Sequence, residues 1–204
     1  MPGRRYEQRL RAESAEATRR RILDALYERL RTAPTRPPSV EEIARAARVA
    51  RSTVYLVFGS RAGLFQALGV DLFERAGYER LVRAVSAPDA RENLRGGMRT
   101  STEMFAADRD VFRVLYSMAL LDAGVAAATV QEWEGRRADG MSYLAGRLAE
   151  QGVLRAGVGA EDAAHVLWLL TSFDAFDQLF TGRGLPADEV ARILTETAER
   201  TLCR

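Results

Sequence analysis

Four residues within one short run, Arg51, Ser52, Tyr55 and Leu56, have the types and spacing to read the edges of nucleic-acid bases. A guanidinium fork can donate two parallel hydrogen bonds to O6 and N7 of a guanine, worth about 1–3 kcal/mol of discrimination against another base. Leu56 can pack on a thymine methyl group. Arg48, three residues upstream of Arg51, adds a charge that either reaches a phosphate or stays solvated. For these groups to act together they must sit at the start of one helix whose other face is buried.

The surrounding run, SVEEIARAARVARSTVYLVFGSR from Ser39 to Arg61, supplies that helix and its support. Ser39 followed by Glu42 forms a capping box, and Pro38 stops any earlier helix from running through. Val40, Ile43, Ala44 and Ala47 fall at i, i+3, i+4 and i+7, the apolar stripe of one short helix. A second short helix starts near Arg51 and buries Val54 and Phe58, leaving Arg51, Ser52, Thr53 and Tyr55 outward. Val49 lies between them, placed to plug the angle. Two short helices crossing steeply in this way describe a helix-turn-helix, a DNA-binding unit. Upstream, a helix from about Ala12 to Ala33 turns Ile22, Leu23, Leu26 and Leu30 inward and ends before the Pro-rich break TAPTRPP. The residues before it, Met1 to about Arg11, read as a flexible basic arm with Arg4, Arg5, Arg9 and Arg11. It either tracks phosphates or is a disordered tail.

Charge follows the same division. Net charge is only +2, yet residues 1–65 hold 14 Arg against 7 acidic residues and the remainder 16 against 21. A basic surplus coinciding with a helix-turn-helix is expected of a phosphate-facing surface. All 30 basic residues are Arg, which points to codon usage more than to mechanism.

The run IARAARVARSTVYLVFGSRAGLF resembles the DNA-binding signature of the tetracycline-repressor (TetR) family of bacterial transcription regulators. Ile43, Ala44, Ala47, Val49, Thr53, Tyr55, Phe58 and Leu64 match its pattern, and Arg61 stands where the family has a Lys. Arg48 replaces a turn glycine, Ala50 a capping serine, Ser52 a second glycine and Val57 a histidine. Arg48 is therefore expected to take a left-handed conformation, which costs a non-glycine residue roughly 1 kcal/mol. Ala50 forgoes a hydroxyl cap worth about as much. The resemblance implies that Thr53, Tyr55 and Arg61 hold phosphates, and that the chain is a dimer, through its last two helices, on a palindromic operator in double-stranded DNA. It also implies a pocket for a small-molecule inducer, of unknown identity, in the C-terminal half.

The remaining segments read as helices, giving an all-α chain of about nine. The expected domains are a DNA-binding head over residues 1–60 and a ligand-binding and dimerisation bundle over 61–204. The first helix after the head, about Arg61 to Val85, carries Leu64, Phe65, Leu68, Leu72 and Phe73. At 1.5 Å per residue it would be a rigid rod of some 37 Å, able to tilt the head when its far end is pushed. Helices over about Ala90 to Ala107, Arg109 to Leu121 and Val125 to Gln151 follow, the last stopped by Gly152. Met98, Thr102, Phe105, Phe112, Tyr116, Met141, Trp168 and Phe173 are the candidate pocket lining, and each also suits an ordinary core. Aromatic, Met and hydroxyl groups together suit a mostly apolar ligand with one or two polar handles.

The last two helices are expected at about Ala160 to Thr181 and Pro186 to Leu202. The first is apolar nearly all round, so it needs a second partner beyond its own core, and a second copy would complete a four-helix bundle. Leu167, Leu170, Asp174, Leu179, Val190, Ile193, Leu194 and Thr197 are the expected interface. Asp174, inside an apolar run, needs an Arg or a cap as partner, and His165 reads as a partly exposed interface residue.

Other functions find little footing. With 47% hydrophobic residues the chain is not a disordered one, and no apolar run approaches the roughly 18 residues of a membrane span. The charged N-terminus does not resemble a secretory signal, so a cytoplasmic protein is expected. One cysteine, Cys203, excludes an internal disulfide framework and a cysteine-rich zinc site. One histidine, no paired Glu-x-x-His and no Gly-rich phosphate loop argue against an enzyme, a cofactor or a metal centre. The composite expectation is a regulator, a repressor released by a small apolar ligand. The alternative within the same class is a DNA binder controlled by a protein partner, or by none.

Overall fold

A computed structural model describes residues 2–33, 37–121 and 125–204, without the side chains of residues 2–7, 11 and 125. The described residues form eleven helices and no strand. These are α1 (Pro2–Thr32), α2 (Val40–Ala46), α3 (Arg51–Phe58), α4 (Arg61–Arg75), α5 (Tyr78–Val85) and α6 (Ala90–Ala107). There follow α7 (Arg109–Leu121), α8 (Val125–Glu150), α9 (Ala160–Leu170), α10 (Phe173–Phe180) and α11 (Ala187–Leu202). No single helix among them is long and apolar enough to cross a membrane.

Two compact units divide the chain: Met1–Asp71 with Arg113–Thr129, and Leu72–Phe112 with Val130–Arg204. In the first, α1 packs on α2 and α2 on α3. Ile22, Leu23, Leu26 and Leu30 of α1, Ile43 of α2, Val54 of α3, and Leu64, Phe65 and Leu68 of α4 are buried. Arg20 of α1 pairs with Asp71, a buried acid at the end of this unit's stretch of α4. In the second unit α6 is central, packing against α5, α10 and α11. Gly96 permits the close approach of α5, since a Cβ there would lie 3.2 Å from the Cβ of Ala84.

Three helical expectations are corrected. The flexible arm is a helix: α1 runs from Pro2, ten residues before the expected start, although none of its described side chains before Ile22 is buried. Ion pairing supports this solvated stretch locally, with Arg9 on Glu13 one turn away. The side chains of Arg4, Arg5 and Arg11 lie outside the described residues, as do Met1 and Pro34, Thr35 and Arg36 of the Pro-rich break.

The rod from Arg61 to Val85 is two helices. It breaks at Gly77, which takes φ of 91°, a left-handed value that glycine adopts without a Cβ penalty. Arg80 then donates to the Ala76 carbonyl at 3.1 Å, satisfying a terminal acceptor of α4. The uninterrupted α4 of 15 residues is about 22 Å long, so no 37 Å lever exists.

The segment from Ala160 to Thr181 also breaks, at Thr171 and Ser172. Ser172 caps α10 by accepting from the Ala175 N–H at 3.1 Å. Arg137 of α8 donates to the Trp168 carbonyl and to Thr171 Oγ1, closing the end of α9. The all-round apolarity therefore belongs to two short helices with different buried faces, α9 through Leu167 and α10 through Phe173 and Phe176.

Candidate nucleic-acid interface

Helix α3 is positioned by the well-capped α2 before it and by the turn between them. Ser39 Oγ accepts from the Glu42 N–H at 3.2 Å while Glu42 Oε2 accepts from the Ser39 N–H at 2.8 Å, so both halves of the capping box form. The turn places Arg48 at φ 56°, the only non-glycine residue with positive φ among those described. Ala50 is the N-cap of α3 and supplies no side-chain hydrogen bond. Both departures from the resembled pattern are thus built into the backbone as expected. Val49 is half-buried in the angle, and Phe58 is half-buried beneath the Arg19 guanidinium, 5.3 Å from its ring centroid.

With Val54 as its buried residue, α3 turns Arg51, Ser52, Tyr55 and Leu56 to solvent, and Leu56 is 86% exposed. Such exposure of a leucine serves no folding purpose on a short helix. Arg48 is also exposed, and Thr53 is half-buried. Arg51 is held at two points. Its Nη1 lies 2.5 Å from Glu41 Oε1, and its Nη2 donates to Tyr55 Oη at 3.4 Å, with the guanidinium 5.5 Å from the Tyr55 ring centroid. The Tyr55 hydroxyl, and then the Glu41 carboxylate, hold the guanidinium charged above its ordinary range.

Arg61 is placed differently from the outward phosphate ligand that the resemblance implies. It is half-buried, donates to the Pro38 carbonyl at 3.3 Å and stands over the Phe65 ring. Its stem and head tie the start of α4 to the chain before α2. Gly63 beside it is dictated by space, because a Cβ there would lie 2.2 Å from the Phe58 carbonyl oxygen. Glu41 was not among the residues the sequence singled out. An acid at that position of an amphipathic helix reads only as a solvated face, and its partner lies ten residues on, across the turn.

The expected pocket lining is partly assembled. Phe105, Phe112 and Phe173 form one cluster, with Phe105 5.2 Å from Phe112 and 5.4 Å from Phe173 between ring centroids. Phe73, Trp133 and Phe176 join it, three aromatic residues the sequence reading did not assign there. Met98 and Thr102 are buried, Met141 and Tyr116 half-buried. Trp168 departs from the expectation: it is 43% exposed, on the solvent side of α9, with the Arg137 guanidinium 4.8 Å from its ring centroid.

The expected interface residues divide as well. Leu167, Val190 and Leu194 are buried in the chain's own core, which removes them from any surface offered to a second copy. Leu170, Leu179 and Ile193 are half-buried, and Asp174, Thr197 and His165 exposed. The acid that needed a buried partner is Asp177, not Asp174. Arg109 holds it with both prongs, Nε to Oδ1 at 2.6 Å and Nη2 to Oδ2 at 2.9 Å, and Thr181 donates to Oδ1 at 2.6 Å.

Comparison with known proteins agrees with this geometry. The family described as "Bacterial regulatory proteins, tetR family" matches residues 22–68, from the middle of α1 into α4. No curated protein matches the sequence. Among solved structures, NalD of Pseudomonas aeruginosa, described as the secondary repressor of the MexAB-OprM multidrug efflux pump, superposes with a TM-score of 0.71 at 24% identity. The match covers 94% of this chain and 98% of NalD. A TetR-like transcriptional regulator from Rhodococcus sp. RHA1 gives 0.66 at 24% identity over 90% of this chain and 94% of that one. A TetR family transcription regulator from Marinobacter aquaeolei gives 0.69 at 16% identity over 94% and 98%. These identities establish the fold, and the family match establishes the head. Over residues 22–68 the chain carries the DNA-binding head of the tetR family of bacterial regulatory proteins, within a fold that it shares with solved regulators of that family.

Proposed function

We propose that the protein is a cytoplasmic repressor that binds a palindromic operator as a homodimer and leaves it when a small, largely apolar ligand binds. The observation that carries this reading is the outward face of α3. Arg51, Ser52, Tyr55 and Leu56 are all exposed on a helix whose opposite side is buried through Val54. In the major groove, Arg51 would donate to a guanine and Leu56 would cover a thymine methyl. Tyr55 Oη accepts from Arg51, so its own proton is available for a phosphate oxygen. Thr53 and Arg48 would hold backbone phosphates and set the register without reading sequence.

Dimerisation is supported by apolar surface left on α9, where Trp168 and Leu169 are 43% and 60% exposed. These two replace Leu167, Val190 and Leu194 as the residues offered to a second copy. Two heads related by a two-fold axis read two half-sites about one helical turn apart. Ligand control is supported by the aromatic cluster of Phe105, Phe112 and Phe173, with the Thr102 hydroxyl buried on the same helix as Phe105. Residues 1–60 are the DNA-binding domain in this reading and 61–204 the ligand-binding and dimerisation domain. Ligand and DNA oppose each other through one coupling free energy, so each weakens the other's binding by the same factor.

Selection of bound duplexes from random-sequence DNA with the purified chain tests the reading. One inverted repeat carrying two chains per duplex, released by an apolar ligand found in a compound screen, is the expected result. Recovery of duplexes with no common sequence would refute it.

A further inference from the structure

We propose that Glu41 of α2 is the positioning residue for the base-reading Arg51, and so determines how sharply the protein distinguishes its operator from other DNA. The inference rests on Arg51 being the reader. Both members of the pair are exposed, at 49% and 59% for Glu41 and Arg51, and an exposed ion pair adds little to folding stability. Its effect falls on the geometry of Arg51. A long side chain at the start of a recognition helix samples many rotamers, and only some present two parallel N–H groups to a guanine. Here the guanidinium is fixed from both sides: Nη1 by Glu41 Oε1 and Nη2 by Tyr55 Oη, with the Tyr55 ring beneath it. Of the five N–H groups the two contacts use one on each terminal nitrogen, leaving Nε–H and one hydrogen on each Nη for a base.

The charge of Glu41 carries a second consequence. A carboxylate on the DNA-facing side repels phosphates whatever the sequence, so it lowers affinity for all DNA alike. An acid kept beside the reader therefore costs general affinity while it sharpens selection, which a protein coating DNA without preference has no use for. Glu41 sits on α2 and Arg51 on α3, so the pair also spans the turn that Arg48 holds in its left-handed conformation.

The test measures a ratio. An operator selected on the wild-type protein, and the same duplex with the guanine that Arg51→Ala ceases to prefer replaced by another base, are titrated with wild type, Glu41→Ala, Glu41→Gln, Arg51→Ala and the Glu41→Ala/Arg51→Ala double variant at one salt concentration. Circular dichroism confirms that each is folded. In Glu41→Ala the discrimination ratio at that base pair falls about two- to fivefold, the most that an exposed pair can contribute and part of the full bidentate contribution. Binding to a scrambled duplex tightens at the same time. Glu41→Gln, with the same shape and a weaker acceptor, falls between. In the Arg51→Ala background, Glu41→Ala leaves the ratio unchanged. The proposal is overturned if the Glu41 variants keep the wild-type ratio while Arg51→Ala loses it, or if they raise it, which would show that Glu41 restrains the reader. A ratio that survives Arg51→Ala would remove the reader assignment itself, and with it this proposal.

Discussion

Replacing Arg109 by Met should strongly destabilise the second unit. The Asp177 carboxylate, only 8% exposed, receives both prongs of Arg109 and the Thr181 hydroxyl. Those hydrogen bonds to Asp177, more than any other contact, hold the Arg109 guanidinium charged above its ordinary range. Removing the guanidinium leaves a buried carboxylate short of two charge-assisted hydrogen bonds. Breaking a buried pair from one side costs about 3–5 kcal/mol. Arg109 is 25% exposed, so water can enter after it, and about 3 kcal/mol is the appropriate figure. For a chain of this size that lowers the melting temperature by about 6–12 °C. Replacing both partners, Arg109→Met with Asp177→Leu, removes the orphaned charge and should recover all but about 1 kcal/mol. Chemical denaturation of the four proteins, all at one protein concentration, gives the coupling directly. A single variant costing under about 1 kcal/mol, or a double variant as unstable as the sum of the singles, would refute the reasoning.

Two further outcomes follow from the backbone and from burial. Arg48→Gly should relieve a left-handed penalty of about 1–2 kcal/mol against a glycine entropy cost of about 0.5–1 kcal/mol, a net gain of up to about 1.5 kcal/mol that raises the melting temperature by up to about 6 °C in a thermal scan; a lower midpoint would contradict it. Burial pushes the Cys203 thiol up, against a smaller opposing pull from Arg91, so a thiol reagent at pH 8 should label it slowly until the chain is unfolded. Because the folded thiol binds its proton more tightly than the unfolded one, stability is full below the unfolded value of about 8.5 and declines as pH rises beyond it. Cys203→Ser should flatten that decline.

The head was legible because local rules decide it. Ser39 with Glu42, the stripe Val40, Ile43 and Ala44, and the lone Val49 each specify their own geometry within a few residues. Even the unfavourable φ of Arg48 follows from its place in the turn. Helix breaks were harder to read. Gly77 inside an apolar stripe costs only about 1 kcal/mol in a continuous helix, so the pattern alone does not end α4 there. The break lies in the backbone, where Gly77 turns left-handed, and the Arg80 side chain then reaches back to the Ala76 carbonyl. At Thr171 and Ser172 a capping serine was present, but nine large apolar residues around it read as one buried helix. Arg137, thirty-four positions before Thr171, closes the end of α9, and periodicity cannot see a partner that distant. The same blindness assigned Leu167, Val190 and Leu194 to a second copy. An apolar residue says that it must be buried, and not by which chain.

The site shows the same limit at shorter range. Arg51, Tyr55 and Leu56 could be named from their position on an amphipathic helix, since outward residues at a helix start are a local property. Glu41 and Arg61 could not, because their roles lie in contacts with α3 and with Pro38 across turns.

The most direct test of the central claim is fluorescence-anisotropy titration of one selected operator and one scrambled duplex at two salt concentrations, wild type against Arg51→Ala. Salt-sensitive wild-type binding that favours the operator, with the preference reduced in Arg51→Ala by about 5- to 150-fold while weak binding to the scrambled duplex persists, is the predicted result. Equal preference in the two proteins would show that sequence is not read by Arg51.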